Sequence, residues 1–325
     1  MDTPTATAAV GGRPESGRAN AAGAGHGGPI WRGVGLRRER WHGYYFLAPA
    51  LVLIAILIAL PLARAFWTSL QRTRGLRSDF TGIDNYIHLF TNAQFWDSLR
   101  ISVLFTVVCV ALHMLLGLGL ALLLNRVVFA RTLFRVGFLA PWIVAPSIGA
   151  IIWVWLLEPQ FGVVNYLLSG TGLVDRYQAW LGTPSLALAS VIVVDVWRGT
   201  PFVMLLLLAG LQGIPKDQYE AAAMDGATAW QQFRFVTLPN LRYLMIVAST
   251  LDIIYTIRHF DIIAVMTGGG PIGATEVLPV LIYNTAFTQN NFGRASAIGI
   301  VLLGIILIFS MVYLRAMRLG KARQE

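Results

Sequence analysis

Asp195 and Arg198 stand three residues apart inside one apolar run, and Asp252, Arg258, His259 and Asp261 stand inside another. A charge at membrane depth costs on the order of 2.5 to 3.5 kcal/mol on insertion scales, so each of these side chains needs a reason. Residues three apart share a helix face, so Asp195 and Arg198 can neutralise one another as a structural ion pair, and Arg258 and Asp261 repeat the spacing. The other reading is a hydrophilic patch along a solute path. Catalysis finds no support in the residue types. The only lysines, Lys216 and Lys321, lie outside any G-x-x-x-x-G-K-[ST] pattern, so there is no phosphate loop. The five histidines are scattered without metal-ligand spacing, and no Ser/His/Asp arrangement emerges. The single cysteine, Cys109, sits mid-run and reads as a small buried hydrophobe, which excludes an intrachain disulfide. "TGGGP" (Thr267 to Pro271) reads as a turn at a helix end rather than a phosphate cradle. The chain is expected to be non-enzymatic, with no metal and no cofactor of its own.

Six apolar runs must position these residues: Tyr44 to Leu70, Ile101 to Leu124, Val136 to Leu157, Pro184 to Leu211, Tyr243 to Thr267 and Ala295 to Leu314. Of the 325 residues 56% are hydrophobic and only 13% charged, where a soluble domain carries about a quarter charged. Twenty-odd residues at about 1.5 Å each cover a hydrocarbon core of about 30 Å, and spanning segments must close their own backbone hydrogen bonds, so helices are expected. The fold class is all-α integral membrane, with six transmembrane helices in one domain over 41–320. Residues 1–40 read as a disordered basic tail and 321–325 as a short second one. "LARA" imitates a signal-peptidase site, but the first run is too long for a signal core, so a retained helix is expected. The net charge of +9 comes from residues flanking the runs, which argues for the lipid bilayer as partner and against nucleic acid. Arg32, Arg37, Arg38, Arg40, Arg126, Arg131, Arg135, Lys216, Arg234, Arg242, Arg315, Arg318, Lys321 and Arg323 fall on one side, which places both termini in the cytoplasm; Arg72, Arg74 and Arg77 break the bias. In the second run Gly117 and Ala121 form a small-xxx-small pair for close packing, within or between subunits.

Between the fourth and fifth runs lies "YEAAAMDGATAWQQFRFVTLP", Tyr219 to Pro239, too long for a turn. Lys216 to Asp225 can form a short helix with a small-residue face of Ala221, Ala222 and Gly226. Such a face lets another protein's surface approach the backbone. Gly226 ends that helix, a second amphipathic turn follows, and Pro239 leads into the fifth run. Taken alone, the stretch is equally a solvated connection.

The register of Glu220, Ala221, Ala222, Asp225, Gly226, Leu238 and Pro239 resembles the coupling motif of the membrane-spanning permease subunits of binding-protein-dependent ABC importers, departing at Val236, where isoleucine is usual. "FTGIDNYIHLF", "FGVVNYLL", "VDVWRGTPFVMLLLLAGLQGIPKDQYEAA", "RHFDIIAVMTGGGP" and "NFGRASAIG" extend the resemblance, which points to the carbohydrate, maltose-permease-like branch (type I).

The resemblance implies a translocation subunit that works by alternating access in a bacterial cell membrane. Its partners would be a second six-helix permease, two copies of a cytoplasmic ATPase that holds ATP and Mg, and an extracellular solute-binding protein. Glu220 to Pro239 would be the coupling helix region docking on the ATPase. The family's sugar-contacting positions in helices four and five fall on Asp195, Arg198, Gly199, Asp252, Tyr255 and Thr256; beside them, Trp142 and Ser147, flanked by Pro141 and Pro146, are expected to add a third wall. Carboxylates accept from several sugar hydroxyls, and a tyrosine face stacks on a pyranose ring. Asp195, Arg198 and Asp252 are charged where the maltose relative is neutral, which opens the path to more polar solutes. The alternative is a self-sufficient secondary carrier or channel; the absence of an obvious inverted repeat argues against it.

Overall fold

The computed structural model describes residues 47–74, 77–126 and 131–321. The tails expected at 1–40 and beyond 321 lie outside them. The chain divides into two compact units, Met1–Ile58 and Ala59–Glu325. In the first, the described residues are helical and carry exposed Leu47, Leu51, Val52, Ile54 and Leu57, a surface suited to lipid rather than water.

Helical backbone runs over Leu47–Ser69 (α1), with the unit boundary inside it. A two-stranded antiparallel hairpin follows, Gln71–Arg74 (β1) and Arg77–Phe80 (β2), with Gln71 opposite Phe80. Then come Asp84–Thr91 (α2), Ala93–Arg126 (α3), Arg131–Ile143 (α4), Pro146–Leu156 (α5), Val163–Gly170 (α6), Pro184–Gln212 (α7), Lys216–Met224 (α8), Ala229–Gln232 (α9), Leu238–Thr256 (α10), Asp261–Met266 (α11), Leu278–Tyr283 (α12) and Phe292–Lys321 (α13). Among the described residues four helices are long and apolar enough to cross a membrane: α1, α3, α7 and the Phe292–Tyr313 part of α13. A fifth span is added if α4 and α5 are taken as one.

Two of the six expected runs are not single helices. The run from 136 to 157 is bent by 100° between Ile143 and Pro146. Pro146 has no N–H to continue the helical ladder and starts α5 at its first turn, while Pro141 sits inside α4. The run from 243 to 267 stops at Thr256 and resumes at Asp261. In the gap Arg258 turns its Nε back to donate to Ile254 O at 3.0 Å. Among the described residues no ion pair joins Arg258 to Asp261, so the expected pairing is not formed; the spacing shares a face only if the helix continues.

α3 and α7 form the main contact of the second unit, and the stripe Phe105, Cys109, His113, Gly117, Ala121 and Leu124 buries the inner face of α3. A Cβ on Gly117 would come within 2.9 Å of Val203 Cγ1 and 3.1 Å of the Met204 backbone nitrogen, so glycine here sets how closely α3 and α7 approach. The small-residue pair is thus used inside the chain. Cys109 is buried and free, a core side chain as expected. At the other end the hairpin docks on α13: Thr73 Oγ1 accepts from the Gly293 N–H at 2.7 Å. Asn85 Nδ2 donates to the carbonyls of Ser69 and Gln71, at 2.8 and 2.9 Å.

Candidate functional site

Helices α3, α7 and α10 meet at a buried polar cluster. His113 Nδ1 lies 2.9 Å from Asp252 Oδ2, and His113 Nε2 lies 3.1 Å from the backbone carbonyl of Asp195. His259, in the gap between α10 and α11, brings Nδ1 to 2.5 Å from Asp195 Oδ1. A carbonyl only accepts, so His113 Nε2 bears a hydrogen. The His113–Asp252 contact then holds one further proton between ring and carboxylate. His113, Asp195 and Asp252 are 1%, 0% and 5% exposed, so mutual pairing is what makes these charges tolerable. Gly199 makes the cluster possible, because a Cβ there would fall on the His113 ring.

The partner of Asp195 is therefore histidine. Among the described residues Arg198 forms no ion pair, and its buried Nε has no hydrogen-bond partner. Among the described residues four buried side-chain polar atoms lack a hydrogen-bond partner, and three of them belong to Asp195 (Oδ2), Arg198 (Nε) and Thr256 (Oγ1), all positions expected on the path. Asp195 Oδ2 is 3.8 Å from His113 Nε2.

Beside the cluster runs an aromatic wall. Trp142 of α4 stacks on Phe202 of α7, with centroids 6.1 Å apart and planes at 19°. Phe202 meets Tyr255 of α10 edge to face at 6.2 Å, and the Arg258 guanidinium lies 5.5 Å from the Tyr255 ring. Trp142 and Tyr255 are 44% and 54% exposed, so both ends of the wall are accessible from outside the packed core. Ser147 is half-buried in the first turn of α5, past the bend from Trp142.

The structure thus gathers Asp195, Gly199 and Asp252 around His113, and links Trp142 to Tyr255 through Phe202. Sequence reasoning missed His113, His259's role and Phe202. The first was accessible, since His113 falls on the four-residue repeat of small and apolar residues that buries one face of α3. Phe202, one turn after Arg198, was visible as a neighbour on the same face. His259 was not, because its reach to Asp195 depends on where α10 ends.

The segment between α7 and α10 is built differently. No residue of α8 is buried, and Glu220, Ala221, Asp225 and Gly226 are exposed, with Ala222 half-buried. Gly226, at φ 77°, ends α8 in a left-handed turn in which the Ala227 N–H reaches Ala222 O at 2.9 Å and the Gly226 N–H reaches Ala223 O at 3.0 Å. Thr228 and Gln231 then form a capping box that opens α9. Tyr219 Oη and Thr237 Oγ1 share a hydrogen bond at 2.9 Å, and Asn240 Nδ2 donates to Gln218 Oε1 at 2.8 Å. These bonds tether α8 to the start of α10, where Leu238 and Pro239 form the first turn. Met224, Trp230 and Phe235 are 89%, 66% and 69% exposed. Among the described residues no group of three or more His, Cys, Asp or Glu is arranged to hold a metal ion.

The family model described as "Binding-protein-dependent transport system inner membrane component" matches residues 113–319. The trehalose/maltose transport system permease protein MalF of Thermococcus litoralis is 41% identical over 290 residues, which cover 89% of this chain and 96% of that protein. The chain belongs to this family. It is a membrane permease subunit of an ABC importer and is not itself the ATPase. The sulfoquinovosyl glycerol transport system permease protein SmoG of Agrobacterium fabrum is 35% identical to this permease, over 86% of the chain and 91% of that protein. A solved bacterial ABC transporter involved in import of the acidic polysaccharide alginate shares the fold, with a TM-score of 0.73, 24% identity, and coverage of 86% of the permease and 96% of that chain.

Proposed function

We propose that this permease carries a sugar or related polyol, delivered by an extracellular binding protein, through a path along Trp142, Ser147, Asp195, Arg198, Gly199, Asp252, Tyr255 and Thr256. The observation that carries this reading is the coincidence of unpaired polar atoms on α7 and α10 with an open aromatic wall. An unpaired buried polar group costs about 1–3 kcal/mol, which solute hydroxyls can relieve. Accessible tryptophan and tyrosine rings suit the apolar face of a pyranose ring. The curated relatives from Thermococcus litoralis and Agrobacterium fabrum, named for sugar-containing solutes, support the same class.

In this reading six membrane passages place both termini in the cytoplasm: the two broken runs, 136–157 and 243–267, each count as a passage. The exposed segment 216–239 then lies on the cytoplasmic side and is the coupling element. Glu220 orients α8 on a nucleotide-binding subunit, the small Ala221, Ala222 and Gly226 allow close docking, and Asp225, Leu238 and Pro239 shape the turn into α10. Two copies of that ATPase, which hold ATP and Mg, and a second, different six-helix permease complete the importer. ATP-driven closure of the ATPase pair moves the coupling segment and alternates access to the path.

The test is uptake of labelled sugars and polyols by the four-component assembly in liposomes, with the binding protein outside and ATP inside. ATP-dependent accumulation of the binding protein's own ligand is expected. Accumulation by the permease alone, driven by an ion gradient, would defeat the reading.

A further inference from the structure

Asp252, His113, Asp195 and His259 form one connected chain that starts on α10, crosses α3 and α7, and ends in the gap after α10: His113 joins the Asp252 carboxylate to the Asp195 backbone carbonyl, and His259 takes the Asp195 carboxylate. Cys109, one turn before His113 on α3, also interacts with Asp195, and Arg198 follows Asp195 by one turn of α7. The two ends of the chain differ. Parting His113 from Asp252 would strand a carboxylate whose side chain is 6% exposed, together with a ring that is 1% exposed. Parting His259 from Asp195 costs less, because the His259 side chain is 22% exposed and can meet solvent, while Asp195 keeps His113 Nε2 at 3.8 Å. His259 also lies outside any helix.

We propose that this chain is a latch that positions the solute-facing stretches of α7 and α10, with His113–Asp252 as its fixed end and His259–Asp195 as its releasable end. The latch holds Arg198 and Gly199 on α7 in register with Tyr255 and Thr256 on α10. It opens at His259 when the two helices separate during translocation. His113 and His259 are therefore positioning residues, although neither needs to touch the solute. The inference rests on the solute path proposed above.

The test uses the complete reconstituted assembly. An asparagine amide overlies the Nδ1 donor of histidine, whereas leucine has no donor. His259→Leu is expected to lower the maximal uptake rate about tenfold, the loss of one hydrogen bond to a charged group, with KM within about twofold. His259→Asn is expected to recover most of that loss. In an Asp195→Ala background, which has no side-chain acceptor for His259, His259→Leu should add no further loss. Subunit assembly should stay near the parent's, while the melting temperature is expected to fall, because a fully buried carboxylate loses its nearest partner. Should His259→Leu not assemble, His259→Gln, whose amide sits one bond farther out, takes its place with the same expectation. The latch is overturned if His259→Leu transports normally, if His259→Asn is as impaired as His259→Leu, or if the double variant shows the product of the two single losses. An unaltered assembly that takes up no sugar or polyol sinks the solute reading instead. The latch is then judged by the same variants in ATP hydrolysis stimulated by the binding protein, which requires no knowledge of the solute.

Discussion

Gly199 of α7 faces His113 of α3 so closely that a Cβ on residue 199 would occupy the imidazole ring. The absence of that one carbon lets a buried histidine reach Asp252 and Asp195 together. Gly199→Ala would gain about 0.5–1 kcal/mol of helix propensity. It would lose about 1–3 kcal/mol to overpacking against a ring that cannot retreat without leaving its partners. The net effect is destabilising. A lower melting temperature of the purified permease, together with reduced uptake, is expected; an unchanged melting temperature would show that α3 and α7 can part at no cost.

Tyr255 carries the open end of the aromatic wall between Phe202 and Arg258. Tyr255→Phe keeps the ring and should keep the transport KM within about twofold, since ring stacking contributes about 0.5–1.5 kcal/mol regardless of the hydroxyl. Tyr255→Ala should raise KM about two- to tenfold on the same energy. Uptake measured across solute concentrations separates the two. An Ala variant with the parent's KM would remove Tyr255 from the path.

Gly226 adopts φ 77°, and no atom lies within 4 Å of a Cβ built there. A side chain would meet backbone strain of about 1–2 kcal/mol but no clash inside the chain. Gly226→Glu should therefore leave the permease folded and membrane-inserted while separating ATP hydrolysis from uptake, because the added bulk projects outward. Normal uptake by this variant would count against docking at α8.

Ser102 Oγ accepts from the Leu278 N–H at 2.7 Å and donates to Ser98 O at 2.7 Å, which fixes the start of α12 against α3. Ser102→Ala orphans a buried N–H and should cost about 1–3 kcal/mol of stability. Thermal unfolding in detergent measures it. A drop no larger than that of an exposed control, such as Ser169→Ala, would mean that the N–H finds another acceptor.

Much of the architecture was legible in one dimension. The long apolar runs that became α1, α3, α7 and α13 announce themselves, because lipid-facing helices need no alternation of polar and apolar residues. Gly226 signalled the end of α8 through the left-handed turn it permits. The runs with interior prolines or clustered polar residues were legible only as apolar lengths. Pro146 breaks one, and the other breaks where Arg258 and His259 take partners outside the helical ladder. Arg198 illustrates the limit for the site. Its spacing from Asp195 suggested a pair, yet His259, in the gap after α10, and His113, on α3, took the carboxylate first.

Composition and local pattern were enough for the membrane environment, the exposed segment before α10 and the depth at which charges lie, since each follows from transfer energies and backbone geometry within a short stretch. Partner choice needed the fold. Whether Asp195 neutralises Arg198 or binds His259, 64 positions away, depends on how closely α3, α7 and α10 approach, and that approach is set by positions without a Cβ, such as Gly117 and Gly199, acting across helices.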